Sequence, residues 1–155
     1  MGIHILQFIG LFLSGILAGE EFVVRYGVQP SLSALEDRPH IQARQSLVRR
    51  LRILVPAIMV PTVIAGIAVL VLSGGGSGIG FRWAGTLALV AFVLFSFLGT
   101  VPINIKVNDW NVDEPPADWK SLVRRWEQID VFRSSAAILA FAFFLTAIAV
   151  QLPAA

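Results

Sequence analysis

Four long apolar segments alternate with polar stretches along this chain, at about residues 3–19, 53–73, 83–105 and 134–152. Each one approaches the roughly 20 residues that a helix needs to span hydrocarbon. Two stretches, Glu20 to Arg52 and Lys106 to Arg133, hold 21 of the 22 charged side chains. Because four crossings return both stretches to the same side of a bilayer, the pattern predicts an all-α integral membrane protein. We expect a four-helix antiparallel bundle with its polar chemistry at one end.

The helix boundaries follow from local signals. Pro30 disfavours helix at Gln29, so the first helix is expected to end there. Residues 40–54 alternate apolar side chains with arginines, which predicts an amphipathic cytoplasmic segment running into the second span. Asp118 is expected to cap a fourth helix that begins at Trp119. We expect one transmembrane domain over residues 1–155, with spans at about residues 3–27, 53–73, 83–105 and 120–152.

The glycine-rich segment 74–78 has a superficial likeness to a nucleotide-binding loop. It lacks the Lys-Ser/Thr pair that follows the glycines in such a loop, so it is interpreted as a turn between the second and third spans.

Composition and charge support this interpretation. Hydrophobic residues make up 56% of the chain and charged residues 14%, against about 25% charged in soluble domains. Eleven of the twelve Lys and Arg residues lie in the two charged stretches, which predicts that both stretches are cytoplasmic and both termini outside. We expect an inner or plasma membrane location, contact with membrane lipids, and no nucleic-acid partner. The first 24 residues hold no Lys or Arg, so the first span is expected to be retained rather than cleaved.

The residue inventory narrows the chemistry. The chain has no cysteine, which excludes disulfides, thiolate nucleophiles and thiolate metal sites. Di-iron bundles use Glu-x-x-His motifs on two helices, and this sequence has none. The two histidines, His4 and His40, are expected at opposite ends of the bundle. We therefore expect no cofactor; a metal stays possible, but the spacing of the ligands does not support one.

Glu20 is the first candidate for a functional group. It follows an apolar run of about 17 residues, which places it about 26 Å along the helix, at the inner edge of the hydrocarbon. An ionised group there is costly and by default marks a functional site. Glu21 can pair with Arg25 four residues later, which leaves Glu20 as the stronger candidate.

A second set of candidates lies on the third and fourth helices. Trp126, Asp130 and Arg133 are spaced to share one helix face, and Asp130 can pair with Arg133. The alternative is an interfacial tryptophan with an arginine that reaches for the headgroups. Asn104 ends the third span at comparable depth. We expect Glu20, Asn104, Asp130 and Arg133 to converge on one pocket at the cytoplasmic mouth, with His40 as an interfacial polar residue or a proton-transfer group.

Two short motifs resemble the anthrone-oxygenase-like family. They are Pro102-x-Asn104, which closes the third span, and Arg125-Trp126-x-x-x-Asp130-x-x-Arg133, which opens the fourth. The resemblance extends over essentially the whole chain and implies a four-helix membrane protein. It also implies oxidation of a polycyclic phenol by dioxygen, from an anthrone to an anthraquinone, without an obvious organic cofactor.

This resemblance suggests a role for each candidate residue. Glu20 or Asp130 would act as base, and Arg133 or Arg125 would stabilise the oxyanion. Asn104 would orient the substrate carbonyl, and Trp110 and Trp126 would stack on its rings. Two non-enzymatic interpretations stay open. The chain could be an accessory subunit of a larger membrane complex or a homo-oligomer, or it could bind or transport a lipid or quinone.

Overall fold

The computed structural model describes residues 2–152 and contains four long helices. We name them α1 (Gly2–Ser33), α2 (Asp37–Leu72), α3 (Ile79–Asn108) and α4 (Trp119–Ala149). The described residues contain no strand. The predicted all-α fold with four membrane-spanning helices is confirmed.

Each helix packs against its two neighbours in the order α1, α2, α3, α4 and back to α1. The contact between α3 and α4 is the most extensive, and that between α2 and α3 is the least. One end of the bundle carries the connections at residues 34–36 and 109–118, and the exposed charged residues lie in these connections and in the helix segments next to them; we call it the charged end. The opposite end carries the connection at residues 73–78, and we call it the glycine-turn end.

The bundle is apolar on its outside. Large hydrophobic side chains such as Phe12, with 67% of its area exposed, and Leu98, with 78% exposed, cover its outer surface. Polar and small side chains are buried between the helices, for example Ser14, Thr62 and Ser134. This distribution suits hydrocarbon as the surrounding solvent, because polar groups there need partners inside the protein. The four apolar helices make the chain a membrane protein.

The middle of the bundle is a close-packed apolar core. Leu17 of α1, Phe92 of α3 and Ala140 of α4 are almost fully buried there. Two glycines, Gly66 and Gly85, receive the ring of Phe144 from α4. A Cβ atom on Gly85 would lie only 2.7 Å from that ring, so the glycine is what lets α3 and α4 approach.

The prediction that the first helix ends near Gln29 is wrong. The chain instead widens into a π-helical stretch at Val24–Val28, where the Gln29 N–H donates to the Val24 carbonyl five residues back. A matching π-helical stretch at Phe95–Thr100 in α3 comes just before Pro102. Proline has no N–H to donate, so a change of hydrogen-bond register just before it lets the helix continue. Both wide turns lie towards the charged end.

Other boundaries agree with the sequence. The amphipathic segment and the second span form one continuous helix, α2. The fourth helix begins at Trp119 after Asp118, although the Asp118 side chain makes no capping hydrogen bond. Gly74, Gly76 and Gly78 have positive φ angles, which confirms a turn that depends on glycine.

Candidate functional site

Arg133 of α4 is the centre of a buried polar cluster. Its Nε and Nη2 atoms donate to Asp130 Oδ1 at 3.1 and 2.9 Å, which confirms the predicted pairing along the helix. Its Nη2 also lies 2.9 Å from Oε2 of Glu21 on α1. The three side chains are at most 5% exposed. The ion pair therefore joins α1 to α4 inside the bundle. Arg133 does not extend outwards, so the alternative of an arginine that reaches the headgroups is wrong.

The neighbouring Glu20 completes what we call the acid cluster, which consists of Glu20, Glu21 and Asp130. Both Glu20 carboxyl oxygens are buried and have no protein hydrogen-bond donor within residues 2–152. Glu20 directly precedes Glu21 in α1, and unlike Glu21 and Asp130 it makes no ion pair with an arginine within the described residues.

The predicted pair between Glu21 and Arg25 is not formed. The Arg25 Nη1 atom donates instead to the hydroxyls of Ser134 and Ser135, at 3.2 and 3.1 Å, and to the Val131 carbonyl at 3.2 Å. Arg25 lies in the π-helical stretch, where the wider turn alters the angle between residues four apart. Glu21 binds Arg133 instead. It is therefore a site residue that the sequence pattern did not indicate.

A cavity of about 300 Å³ lies between α2 and α3 at the charged end. We call it the inter-helix cavity. Its rim includes side chains exposed on the outside of the bundle, among them Phe97, Val101 and Ile105. It therefore opens on the apolar side surface, between the two helices that pack least extensively. Its polar lining comes from Gln29, Arg44, Arg52, Ser96, Thr100, Asn104, Asn108, Trp126 and Arg133.

Four of these lining residues carry a buried polar atom without a partner in the described part of the chain. Two are donors, Gln29 Nε2 and Trp126 Nε1, and two are acceptors, the Oδ1 atoms of Asn104 and Asn108. Buried polar atoms in folded proteins are nearly always hydrogen-bonded, to protein, water or ligand. Four such atoms around one cavity indicate that a polar ligand or water completes them.

Two arginines flank the indole of Trp126. The guanidinium carbons of Arg44 and Arg133 lie 5.4 and 5.8 Å from its ring centroid, within the range of a cation–π interaction. Arg44 is 3% exposed and is held by Gln29 Oε1 at 3.0 Å and by His40 Nε2 at 3.2 Å. The inter-helix cavity therefore has two positively charged groups beside one aromatic ring.

Arg44 was not singled out from the sequence. The sequence does indicate that Arg44 is buried, since Ile41, Arg44 and Val48 are spaced to lie on one face of α2. Ile41 and Val48 are buried, and the arginine between them is buried with them.

The structure brings only some of the predicted site residues together. Asn104, Trp126 and Arg133 line the inter-helix cavity. Asp130 binds Arg133 but lines a separate groove with Arg25 and Glu127, and Glu20 does not line the inter-helix cavity.

The other three predicted residues lie apart from the inter-helix cavity. Trp110 is buried with its ring 6.3 Å from that of Trp119. His40 holds Arg44 but lines a groove of its own near Lys120. Arg125 is on the exposed face of α4. Within residues 2–152, no group of three or more His, Cys, Asp or Glu side chains has an arrangement that could hold a metal ion.

Comparison with known proteins gives one match. The model of the anthrone oxygenase family matches residues 45–143, which is more than half of the chain and includes Asn104, Trp126, Asp130 and Arg133. No curated protein and no solved structure matches the sequence. The family match and the four apolar helices agree with the resemblance seen in the two motifs. The chain belongs to the anthrone oxygenase family.

Proposed function

We propose that this membrane protein oxidises a lipophilic polycyclic phenol with dioxygen in the inter-helix cavity. One observation carries the proposal: Arg133 lines the cavity and at the same time binds two carboxylates, those of Glu21 and Asp130. Arg133 thus connects a cavity wall that can stabilise negative charge to a cluster of carboxylates that can accept a proton.

The size and the lining of the cavity suit such a substrate. Its volume of about 300 Å³ is within the range of small-molecule sites, and its lining is mostly apolar. Its opening lies on the hydrocarbon-facing side of the bundle, between Phe97 and Val101 of α3 and Pro56 of α2. A flat aromatic molecule and dioxygen both dissolve in hydrocarbon, so both could reach the cavity without crossing water.

The proposed reaction needs only dioxygen as oxidant. A base removes a proton from the benzylic CH₂ group opposite the substrate carbonyl, leaving an aromatic enolate. The enolate passes an electron to dioxygen, and the two radicals combine to form a C–O bond and a hydroperoxide. Loss of water then leaves a carbonyl. In sum, the CH₂ group and O₂ become C=O and H₂O, with the carbon oxidised and both oxygen atoms reduced.

Arg133 and Arg44 are suited to stabilise the enolate oxygen. Both guanidinium groups are fixed before any substrate binds, Arg133 by Asp130 and Glu21 and Arg44 by Gln29 and His40. Fixed donors aimed at developing charge stabilise a transition state more than mobile ones do.

The four polar atoms without a partner can orient a substrate in the cavity through hydrogen bonds. The N–H groups of Gln29 and Trp126 can donate to a substrate carbonyl or oxyanion. The carbonyl oxygens of Asn104 and Asn108 can accept from phenolic hydroxyls. In this proposal Trp126 also stacks on the substrate rings.

Glu20 is the proposed base, and Asp130 is the alternative. Neither lines the inter-helix cavity, so in this proposal the proton reaches the carboxylate through a water molecule beside Arg133. The Glu20 carboxyl oxygens lack a protein donor within the described residues, whereas Asp130 Oδ1 accepts two bonds from Arg133. A carboxylate that is not held by a cation is the better proton acceptor.

Oxygen uptake by the purified protein with 1,8-dihydroxyanthrone as the probe tests this proposal. We expect uptake above the spontaneous rate, and a fall of about 10²–10⁴-fold in the variant with both Glu20→Gln and Asp130→Asn. Arg49→Gln, which changes an exposed arginine on α2, is the matched control and should keep its activity. Full turnover in the double variant would rule out both Glu20 and Asp130 as the base. Saturable binding of the probe without oxygen uptake by the native protein would favour a quinone-binding role instead.

A further inference from the structure

Arg82 is the one charged residue outside the two charged stretches, and it is buried at the glycine-turn end. Only 5% of its surface is exposed. Its Nε atom is buried and has no hydrogen-bond partner within residues 2–152, and its Nη2 atom makes one long contact, 3.4 Å to the Ser77 carbonyl. A buried guanidinium so weakly held is costly unless an anion neutralises it.

No acidic side chain of the chain can serve as that anion. All ten Asp and Glu residues lie between Glu20 and Asp37 or between Asp109 and Asp130, at or near the charged end. Within residues 2–152, Arg82 therefore has no acidic side chain like those that neutralise Arg133.

A small cavity lies beside Arg82. It measures about 20 Å³ and is lined by Gln7 and Gln151 as well as by apolar side chains such as Val69 and Phe144. Space of this size admits a guest about as large as a water molecule or a small ion, since a water molecule needs at least about 10–15 Å³.

The two glutamines add a polar side to the cavity. The Nε2 atom of Gln151 donates to the Ala147 carbonyl. The Nε2 atom of Gln7 donates in turn to Oε1 of Gln151, at 3.5 Å. Gln7 is itself buried, and its second amide N–H remains available as a donor.

We propose that this cavity is a binding site for one monovalent anion of halide size, with chloride as the physiological candidate. Arg82 supplies the charge and an N–H donor, and Gln7 supplies a second donor. The cavity is too small for a phosphate group or a lipid headgroup, and its remaining wall is apolar, which suits a weakly hydrated single-atom anion. The site is at the opposite end of the bundle from the inter-helix cavity and is independent of the proposed oxidation.

Thermal unfolding in detergent tests the site. The purified protein is placed in sodium gluconate and then titrated with sodium chloride or bromide at constant ionic strength. A ligand that binds only the folded state raises Tm as its concentration rises, by about 5–10 °C at a 100-fold excess over Kd for a chain of this size. We expect this rise with both halides, and we expect Arg82→Gln to abolish it. Arg38→Gln, an arginine exposed at the charged end, should retain it.

A second variant and a direct observation complete the test. Gln7→Leu keeps the charge but removes a donor, so it should shift the halide midpoint to higher concentration, and it remains informative if Arg82→Gln fails to fold. Crystals grown in bromide should give an anomalous peak beside Arg82. Equal Tm values in gluconate and chloride, or the same halide response in Arg82→Gln, would overturn the proposal.

Discussion

At the scale of single residues, the fold depends on how buried charges are neutralised. Arg133 is neutralised by two carboxylates, Asp130 on its own helix and Glu21 on α1. Removing one member of a buried ion pair costs about 3–5 kcal/mol, because the remaining charge is left without a partner. Exposed pairs such as Arg38 with Asp113, 3.0 Å apart, contribute much less because water and salt screen them.

Arg133→Gln should therefore lower the stability of the bundle strongly. We expect a fall of about 10 °C in the apparent Tm in detergent, since about 3–5 kcal/mol is lost and each kcal/mol corresponds to about 2–4 °C for a chain of this length. Adding Glu21→Gln to this variant should recover part of the loss, because it removes an unpaired buried carboxylate. Arg38→Gln is the control and should change the Tm little. If Arg133→Gln melted like the native protein, the ion pair would not hold α1 to α4.

How much of the site follows from sequence depends on whether partners share a helix. Asp130 and Arg133 are three residues apart on one helix, so their pairing follows from helix geometry alone. The partner of Glu21 cannot be predicted from helix geometry. It depends on how α1 packs against α4 and on the π-helical stretch that moves Arg25 away. The inter-helix cavity depends on the spacing of α2 and α3, which no local pattern encodes.

At the scale of helices, glycines and wide turns decide how closely α3 meets α4. Gly99 lies in the π-helical stretch of α3, opposite Ile129 of α4. A Cβ atom at Gly99 would lie 2.5 Å from Ile129 Cγ2, well inside van der Waals contact. The positions of the four spans follow from apolar segment length. The π-helical stretches do not, because their register is set by tertiary packing around each proline.

Gly99→Ala should destabilise the bundle through this contact. We expect a loss of about 1–3 kcal/mol, the usual cost of an extra methyl group in a close-packed interior. Ile129→Leu removes the Cγ2 branch at similar volume and should recover part of the loss in the double variant. The control is Gly19→Ala on α1, where the new Cβ meets nothing within 4 Å and should stabilise the helix slightly. Thermal unfolding in detergent measures all four proteins, and equal effects at the two glycines would contradict the packing argument.

At the scale of the whole molecule, the bundle is polar at its ends and apolar around its sides. The charged end holds the acid cluster and the mouth of the inter-helix cavity, whereas Arg82 is the one charged side chain that residues 2–152 place at the glycine-turn end. This asymmetry also bears on orientation, because Lys and Arg beside short loops remain on the cytoplasmic side during insertion. The inter-helix cavity would then open within the cytoplasmic leaflet.

The absence of cysteine from the sequence makes this orientation directly measurable. Gly75→Cys places a single thiol in the exposed turn of the glycine-turn end, and Glu114→Cys places one in the exposed loop of the charged end. In intact cells a membrane-impermeant maleimide should label Gly75→Cys at once and Glu114→Cys only after permeabilisation. Eleven of the twelve basic residues lie in the two charged stretches, so the reverse pattern would contradict the positive-inside argument. The native chain, which carries no thiol, is the background control.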